Sequence, residues 1–291
     1  MQDDANPLES AALDRWQVVG AASGARPGEV HPTRLLGQDI AWTLEPSGVP
    51  RAWRRRAAIT GSKDALPAIL RYGFVWTCLG TPPADLFPIP EYAEPDRRNI
   101  DAGTFGVQVS APRAVENFLD MGHFPYVHTD YLGVEPHTEV KDYQVDISAS
   151  RDEILATRCL FWQPRAALAA DAGMDVEYVY RVPHPYCAIL YKSCPSDPSR
   201  RDVIALFVQP VEETRVNAYM LLSLIDLENS DTGIRHFQQT IFGQDKPILE
   251  NQFPKRLPLD PRAETPIRAD KSSIAYRRWL REQGVRYGTI W

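Results

Sequence analysis

The 291-residue sequence has few features of a secreted or membrane-bound protein. Its four cysteines, Cys78, Cys159, Cys187 and Cys194, show no close Cys-x-x-Cys spacing. No stretch approaches the roughly 18 to 20 apolar residues that are needed to span a bilayer. The first residues, 1–4, are acidic and precede no apolar run, so they do not resemble a secretory signal. We therefore expect reduced thiols, a cytoplasmic location and no contact with a membrane.

The sequence also lacks an excess of basic residues. Its formal net charge is -6, so little positive charge is available to neutralise phosphates, and we expect no nucleic-acid partner. The densest basic run is 51–56, where four arginines surround Trp53. A run this short is typical of a solvated face or of a contact with another protein.

Turn-forming residues divide the chain into two parts. The sequence contains 25 prolines, and a proline-rich connection over 82–95 is the best candidate boundary. Before it, residues 16–44 have the pattern of short strands joined by turns, and residues 72–80 have the pattern of a further strand. We therefore predict a small β region over residues 1–81 and a larger domain over 82–291.

The larger domain has the pattern of an antiparallel sheet. Segments rich in Val, Ile, Tyr and Phe recur between 138 and 226, and turns separate them. They include 176–182, 186–193 and 203–211. Two helical stretches follow, over about 232–252 and 272–285. Strands in one block with C-terminal helices flanking them favour an α+β fold of the helix-grip kind over alternating βαβ units.

The most informative segment lies between these regions. A strand over 104–112 is expected to lead into a helix that begins near Arg113. Residues three apart share a helix face, so Asn117, Asp120 and His123 would point in the same direction.

A second histidine completes the pattern. Pro125 would end or bend the helix and allow His128 to return toward His123 from another direction. Two imidazoles with an acid beside them suit a divalent first-row metal, and two histidines with one carboxylate form the facial triad of non-haem Fe(II) oxygenases. A His-x4-His spacing with a nearby aspartate also arises by chance, so the pattern alone leaves an ordinary surface segment as an alternative.

The run from Glu116 to His128 resembles the Asn-x-x-Asp-x-x-His-x-x-x-x-His motif of the Rieske non-haem iron oxygenases. It is especially similar to their demethylase and aryl-ether branch. The resemblance implies that His123 and His128 are iron ligands. It also implies that Asp120 is a bridging acid, which accepts a hydrogen bond from a ligand histidine and connects the iron with an incoming cluster. Asn117 would be a close neighbour of the iron that does not bind it.

The segment from Ile241 to Gln252 is similar to the C-terminal helix of the same family, which carries the carboxylate ligand. The resemblance implies that Asp245 is the third ligand. Glu250 is the rival carboxylate, and a solvated helix acid is the alternative role for Asp245. Pro247 disfavours helical geometry at Lys246 and removes a backbone donor, so we expect a distorted helix beside Asp245.

The chain departs from the family in its first part. Family members carry Cys-x-His and Cys-x-x-His pairs that bind a two-iron cluster, whereas residues 1–81 contain one cysteine, Cys78, and one histidine, His31. Residues 34–39 and 71–76 still look like the strands that flank the cluster loops. We therefore interpret residues 1–81 as a degenerate Rieske-like β region with no iron–sulfur cluster.

The resemblance implies an enzyme that obtains its electrons from outside the chain. Family members form head-to-tail trimers in which the cluster of one subunit feeds the iron of its neighbour. The chain resembles the truncated oxygenase subunit of the bacterial methylxanthine N-demethylase system, which draws electrons from a reductase with an extra Rieske domain. We therefore expect mononuclear Fe(II), O2, a small aromatic substrate and N-demethylation with release of formaldehyde. NAD(P)H, flavin and the Rieske cluster would belong to the reductase. The expected assembly is a trimer-based hetero-oligomer, with a possible second oxygenase or scaffold subunit.

Two other interpretations stay open at this point. Loss of the cluster could leave a catalytically inactive scaffold or regulatory subunit, although such a subunit has no need of all the predicted iron-site residues. A metal-dependent hydrolase would need a general base near the metal and no electron donor.

Other histidines and aromatic residues are less informative. We expect His137 and His184 to be loop or strand-end residues outside the site, whereas His236 could lie at the surface or pack near the site. Alternating aromatic residues fit the core by default, and some of them are expected to line a pocket between the sheet and the helices. These aromatic residues are Trp162, Tyr178, Tyr180, Tyr186 and Tyr191.

Overall fold

The computed structural model describes residues 10–55, 64–148, 152–170, 172–226 and 228–291. It begins with the short helix α1 (Ser10–Leu13) and the strands of two small antiparallel sheets. These strands are β1 (Gln17–Ala21), β2 (His31–Leu35), β3 (Gln38–Leu44), β4 (Pro50–Arg54), β5 (Ala65–Leu66), β6 (Ala68–Arg71) and β7 (Phe74–Thr77). One sheet has the order β1-β7-β6 and the other the order β2-β3-β4-β5, so the predicted N-terminal β region is confirmed.

The larger part of the fold is a seven-stranded antiparallel sheet. Its strands are β8 (Arg98–Val107), β9 (Gln144–Ser148), β10 (Glu153–Gln163), β11 (Met174–His184), β12 (Cys187–Ser193), β13 (Arg201–Glu212) and β14 (Arg215–Leu224). They follow the order β8-β14-β13-β12-β11-β10-β9 across the sheet. The flanking elements are α2 (Ala111–Leu119), α3 (Phe124–Val127), α4 (Asp231–Asn251), α5 (Lys271–Glu282), and the short parallel strands β15 (Leu257–Pro258) and β16 (Thr289–Ile290). This arrangement confirms the predicted α+β class.

The large sheet is covered on both faces. Its outer face packs against the β1-β7-β6 sheet, where the ring of Phe207 lies 4.9 Å from Trp76 and 5.5 Å from Phe74. Its inner face packs toward α4. Because both faces are covered, nearly every residue of β13 is buried, and the strand has an almost continuous apolar sequence instead of a strict alternation. Burial of the Phe207 side chain contributes about 1.5–3 kcal/mol to the stability of the fold.

α4 is held beside β8 along its length. Arg235 Nε donates to Asp101 O and Gln239 Nε2 donates to Ala102 O, both at 2.9 Å. The helix agrees with the prediction to within one residue at each end, and it continues through Pro247 without interruption. α5 ends earlier than predicted because Gly284, with φ +73°, turns the chain out of the helix.

Two expectations about the whole chain can be compared with the structure. All four cysteines are buried and free, as expected. In the part of the chain that the structure describes, no helix is both long enough and apolar enough to cross a membrane.

Candidate metal centre

The backbone that leads to His128 differs from the predicted single helix. α2 ends at Leu119, and Asp120 has extended backbone angles of φ -84° and ψ 127°. Asp120 Oδ1 accepts a hydrogen bond from Gly122 N at 2.7 Å, which competes with helical pairing of that amide. Pro125 lies in the first turn of α3, where no backbone donor is required. It therefore does not terminate or bend a helix, contrary to the prediction. Two helices joined by a turn therefore present the site residues.

The structure brings the side chains of the three residues predicted as metal ligands, His123, His128 and Asp245, to one point. His123 Nε2 lies 3.1 Å from His128 Nε2 and 3.3 Å from Asp245 Oδ1. His128 Nε2 lies 3.1 Å from the same Asp245 oxygen. The histidines flank α3, whereas the aspartate comes from α4. These three residues form a group that could hold a metal ion, with one ligand atom from each.

Hydrogen bonds to both rings select the neutral tautomers in which the facing nitrogens carry lone pairs. His123 Nδ1 donates to Asp120 Oδ2 at 2.8 Å, and His128 Nδ1 donates to Gln244 Oε1 at 2.9 Å. A neutral imidazole carries one proton, so both Nε2 atoms present lone pairs to Asp245 Oδ1. That oxygen is buried and has no hydrogen-bond partner among the described residues. A divalent first-row metal would satisfy three electron-pair donors that otherwise repel one another.

The electrostatics of the site favour positive charge. Burial lowers the pKa of His123, but Asp120 and Asp245 beside it outweigh burial and raise this pKa to about 9, so a proton competes with a metal ion for His123 Nε2 at neutral pH. Burial acts to raise the pKa of Asp245, but the two neighbouring histidines, His123 and His128, hold it below its ordinary value. The surroundings therefore suit a cation.

Glu250, the rival carboxylate, lies apart from the histidines. Its Oε1 accepts hydrogen bonds from Lys246 Nζ at 2.5 Å and from Gln108 N at 3.0 Å, and both lower the pKa of Glu250. The carboxylate that lies with His123 and His128 is therefore that of Asp245.

Gln244 belongs to the site but carries no mark in the sequence pattern. A metal-binding histidine usually donates its second ring N–H to an acceptor, which fixes the orientation of the ring. Asp120 is the acceptor for His123, and its spacing makes it visible in the sequence. The signal for Gln244 would have been its position next to Asp245, because His128 has no comparable acid three residues before it.

The three converging atoms lie at the floor of an apolar pocket between the inner face of the large sheet and α4. Aromatic rings line it: Phe118 lies 6.1 Å from Tyr180, and Phe124 lies 6.0 Å from Tyr178. The expectation that some of the alternating aromatic residues line the pocket is confirmed for Tyr178 and Tyr180. Tyr191, by contrast, packs on the outer face of the sheet. Flat apolar walls of this kind suit a planar aromatic ligand.

A second concavity lies on the other side of His123. Asn117 and His123 line both concavities, whereas Asp120 lines the second. The Asp120 side chain is 30% exposed there. Two exposed apolar side chains, Ile248 of α4 and Ile274 of α5, also line this concavity. His123 therefore separates an apolar pocket from an accessible, more polar surface.

The other four histidines lie away from this cluster, as expected for His137 and His184, and His236 takes the surface position of its two alternatives. His31 and His137 each pack against a tryptophan ring. His184 is buried at the end of β11, and His236 is exposed on α4.

The arginines of the basic run are engaged within the N-terminal region. Arg51 forms an ion pair with Glu45, and Arg54 donates a hydrogen bond to Leu79 O at 2.6 Å. Arg56 lies outside the described residues.

Comparisons with known proteins identify the family of the chain. Residues 107–285 match the family model described as vanillate O-demethylase oxygenase C-terminal domain. The chain is 46% identical over 280 residues to a protein of Pseudomonas sp. (strain TJI-51) named probable methylxanthine N7-demethylase NdmC, and the match covers 96% of this chain and 97% of that protein. It is 27% identical to methylxanthine N1-demethylase NdmA of Pseudomonas putida, over 88% of this chain and 72% of that protein.

Solved structures share the fold. NdmA of Pseudomonas putida CBB5 has a TM-score of 0.73 at 21% identity and covers 94% of this chain and 91% of its own. Dicamba monooxygenase bound to dicamba has a TM-score of 0.73 at 15% identity, and the match covers 94% of this chain and 97% of that protein. Similarity at these identities concerns the fold alone. The family match and the 46% identity show that the chain belongs to the Rieske oxygenases, in the family of the vanillate O-demethylase oxygenase C-terminal domain.

Proposed function

We propose that this protein is the catalytic subunit of an O2-dependent N-demethylase whose substrate is a methylxanthine or a similar heteroaromatic compound. The observation that carries the proposal is the convergence of both histidine Nε2 lone pairs with the buried Asp245 Oδ1 beneath an apolar pocket. The name of the 46% identical relative supports this class of substrate. The reaction would consume one O2, two electrons and two protons, and would yield formaldehyde, water and the heterocycle with N–H in place of N–CH3.

His123, His128 and Asp245 would hold a mononuclear iron ion. Fe(II) with two histidines and one carboxylate keeps coordination positions open, and it would supply the place where dioxygen is activated beside the substrate. Asp120 and Gln244 would fix the two imidazole rings by accepting their Nδ1 protons.

The pocket would bind and orient the substrate. The rings of Phe118, Phe124, Tyr178 and Tyr180 offer flat surfaces on which a heteroaromatic ring can lie, and their burial excludes water. The N-methyl group would then point to the floor of the pocket.

The second concavity would receive the electron donor. These 291 residues contain no Cys-x-His or Cys-x-x-His pair to bind a Rieske cluster, so in this proposal the cluster is carried by a partner protein. Asp120 is reachable from this surface and bonds to His123 Nδ1, so it offers a short path to the metal ligand. Ile248 and Ile274 offer apolar contact area. The proposed partner is a Rieske-bearing reductase that takes electrons from NAD(P)H through a flavin.

Several further expectations remain predictions. They are the cytoplasmic location, the trimer-based assembly with a possible second oxygenase or scaffold subunit, and the division into residues 1–81 and 82–291.

The decisive experiment measures iron and acid-labile sulfide per chain after anaerobic purification, and then formaldehyde formation. We expect about one iron and no sulfide per chain. Hydrogen peroxide, which supplies oxygen and two electrons together, should then drive formaldehyde release from a methylxanthine without a reductase. Failure to bind Fe(II) after anaerobic reconstitution would indicate an inactive scaffold. Product formed without O2, peroxide or NADH would indicate a hydrolase.

A further inference from the structure

Lys192 is a cationic residue in the wall of the apolar pocket. Only 5% of its surface is exposed, and it lines the same pocket as His123 and His128. It lies on β12 opposite Tyr178 of β11. Buried lysines are rare in proteins, and most of them are paired with an acid.

The contacts of Lys192 leave part of its hydrogen-bonding capacity unused. Its ammonium group has three N–H donors, and one of them binds Ala166 O. The ammonium lies 5.5 Å from the centre of the Tyr178 ring, which provides a cation–π contact. The charge of Asp202 acts on Lys192, but Asp202 Oδ1 already accepts a hydrogen bond from Ile225 N at 3.0 Å. Among the described residues, no carboxylate forms an ion pair with this ammonium.

A buried cation without an ion pair is costly, and an apolar residue of similar size would stabilise the fold better. Burial lowers the pKa of Lys192 to about 8, with Asp202 opposing the shift, so most molecules still carry the charge at neutral pH. A costly polar group in a binding pocket is a candidate for ligand recognition.

The aromatic side chains locate Lys192 relative to the metal-binding atoms. The ring of His128 lies 6.1 Å from Phe124, Phe124 lies 6.0 Å from Tyr178, and Tyr178 is the ring that contacts Lys192. A path of two aromatic rings therefore connects Lys192 with His128 along the lining of the pocket. A flat bicyclic ligand with its methyl group at the floor would direct its opposite edge toward Lys192.

We propose that Lys192 determines substrate specificity by donating a hydrogen bond to a carbonyl oxygen on the substrate edge opposite the reacting N-methyl group. The inference rests on the proposed function and narrows its substrate class. N-methylated heterocycles with a ring carbonyl, such as purinediones, fit this site. N-methylated aromatic compounds without such an acceptor would leave the ammonium buried and unsatisfied.

The test compares two ligands on the Fe(II)-reconstituted chain, by anaerobic calorimetry. One is whichever of 1-, 3- and 7-methylxanthine binds the wild type most tightly. The other is 1-methylindole, a bicyclic N-methyl compound without a carbonyl group. We expect Lys192→Met to weaken methylxanthine binding about tenfold to a hundredfold, as for a hydrogen bond to a charged group, and to leave 1-methylindole binding unchanged. Lys192→Gln, which keeps an uncharged N–H donor, should recover part of the loss.

Lys141→Met is the matched control, because Lys141 is exposed and lies 3.8 Å from Asp175, away from the pocket lining. It should leave both affinities unchanged. Thermal unfolding of each variant checks that it is folded. An equal loss for both ligands in Lys192→Met, or no loss for the methylxanthine, would overturn the role of Lys192 while the proposed N-demethylation stands. A wild type that binds no methylxanthine would overturn both.

Discussion

The two concavities that meet at His123 have opposite properties. The pocket on the Nε2 side is enclosed by aromatic rings, and burial raises the pKa of Tyr178 and Tyr180, so both stay neutral. The concavity on the Nδ1 side is lined by acidic side chains and by exposed apolar residues such as Ile248. The first suits a small aromatic molecule and the second suits a protein surface. One imidazole can therefore bind a metal on one side and face a partner on the other.

The largest effect is expected from substitution of Asp245, the carboxylate that converges with the two histidines. Asp245→Ala removes one of three converging donors, so iron should be lost from the purified chain and formaldehyde formation should be abolished. Iron per chain and peroxide-driven formaldehyde release measure this. Glu250→Gln is the control, since Glu250 accepts hydrogen bonds from Lys246 and Gln108 and lies apart from the histidines. This variant should retain its iron and its formaldehyde formation. Iron retained in Asp245→Ala would contradict the ligand set.

A variant at Asp120 distinguishes electron delivery on the Nδ1 side of His123 from metal binding on its Nε2 side. Asp120→Asn keeps the size of the side chain but replaces the charged acceptor of the Nδ1 proton. We expect turnover with the reductase and NADH to fall at least about 10- to 100-fold, while iron stays bound and peroxide-driven turnover remains. Asp270→Asn is the matched control, because Asp270 lines the same concavity and bonds to Ile267 N. Full reductase-driven turnover in Asp120→Asn would disprove the bridging role.

Lys192, in the wall of the apolar pocket, should make the stability of the protein depend on pH in the alkaline range. Its folded-state pKa of about 8 lies below the ordinary value of 10.5 because of burial, so the folded protein releases this proton before the unfolded chain does. Stability should therefore rise with pH between about 8 and 10.5, by up to about 3 kcal/mol. Denaturant unfolding of the wild type and of Lys192→Met across this range measures the difference. Parallel curves would show that the ammonium is better solvated than its burial implies.

A variant at Gln244 tests whether metal binding by His128 depends on the acceptor of its Nδ1 proton. Gln244→Leu removes the acceptor of the His128 Nδ1 proton, so we expect iron affinity to fall about 10- to 100-fold. Gln244→Glu keeps an acceptor and should keep the affinity. Competition with a chelator measures both variants. Unchanged affinity in Gln244→Leu would mean that packing alone orients the ring.

Much of this architecture could be predicted from the sequence because it depends on local patterns. α4 is marked by its turn signals and periodicity, and His123, His128 and Asp245 lie in two short motifs. The break at Asp120 was missed because a side-chain hydrogen bond to Gly122 N competes with the helix, and spacing does not reveal this. Lys192 was missed for another reason. Its place in the pocket depends on strand register and on which sheet face α4 covers, and both are set by long-range packing.

The smallest effect is expected at the rim of the second concavity. Ile248 is 52% exposed, so Ile248→Glu should leave folding, iron content and methylxanthine affinity unchanged. A negative charge on an apolar contact surface should raise the reductase concentration needed for half-maximal turnover, by up to about tenfold. Val30→Glu is the control, since Val30 is equally exposed but lies outside this concavity. Titration of each variant with the reductase measures the effect. If both variants need the same reductase concentration for half-maximal turnover, the electron donor contacts another surface. The partner-binding role of the second concavity would then not include Ile248.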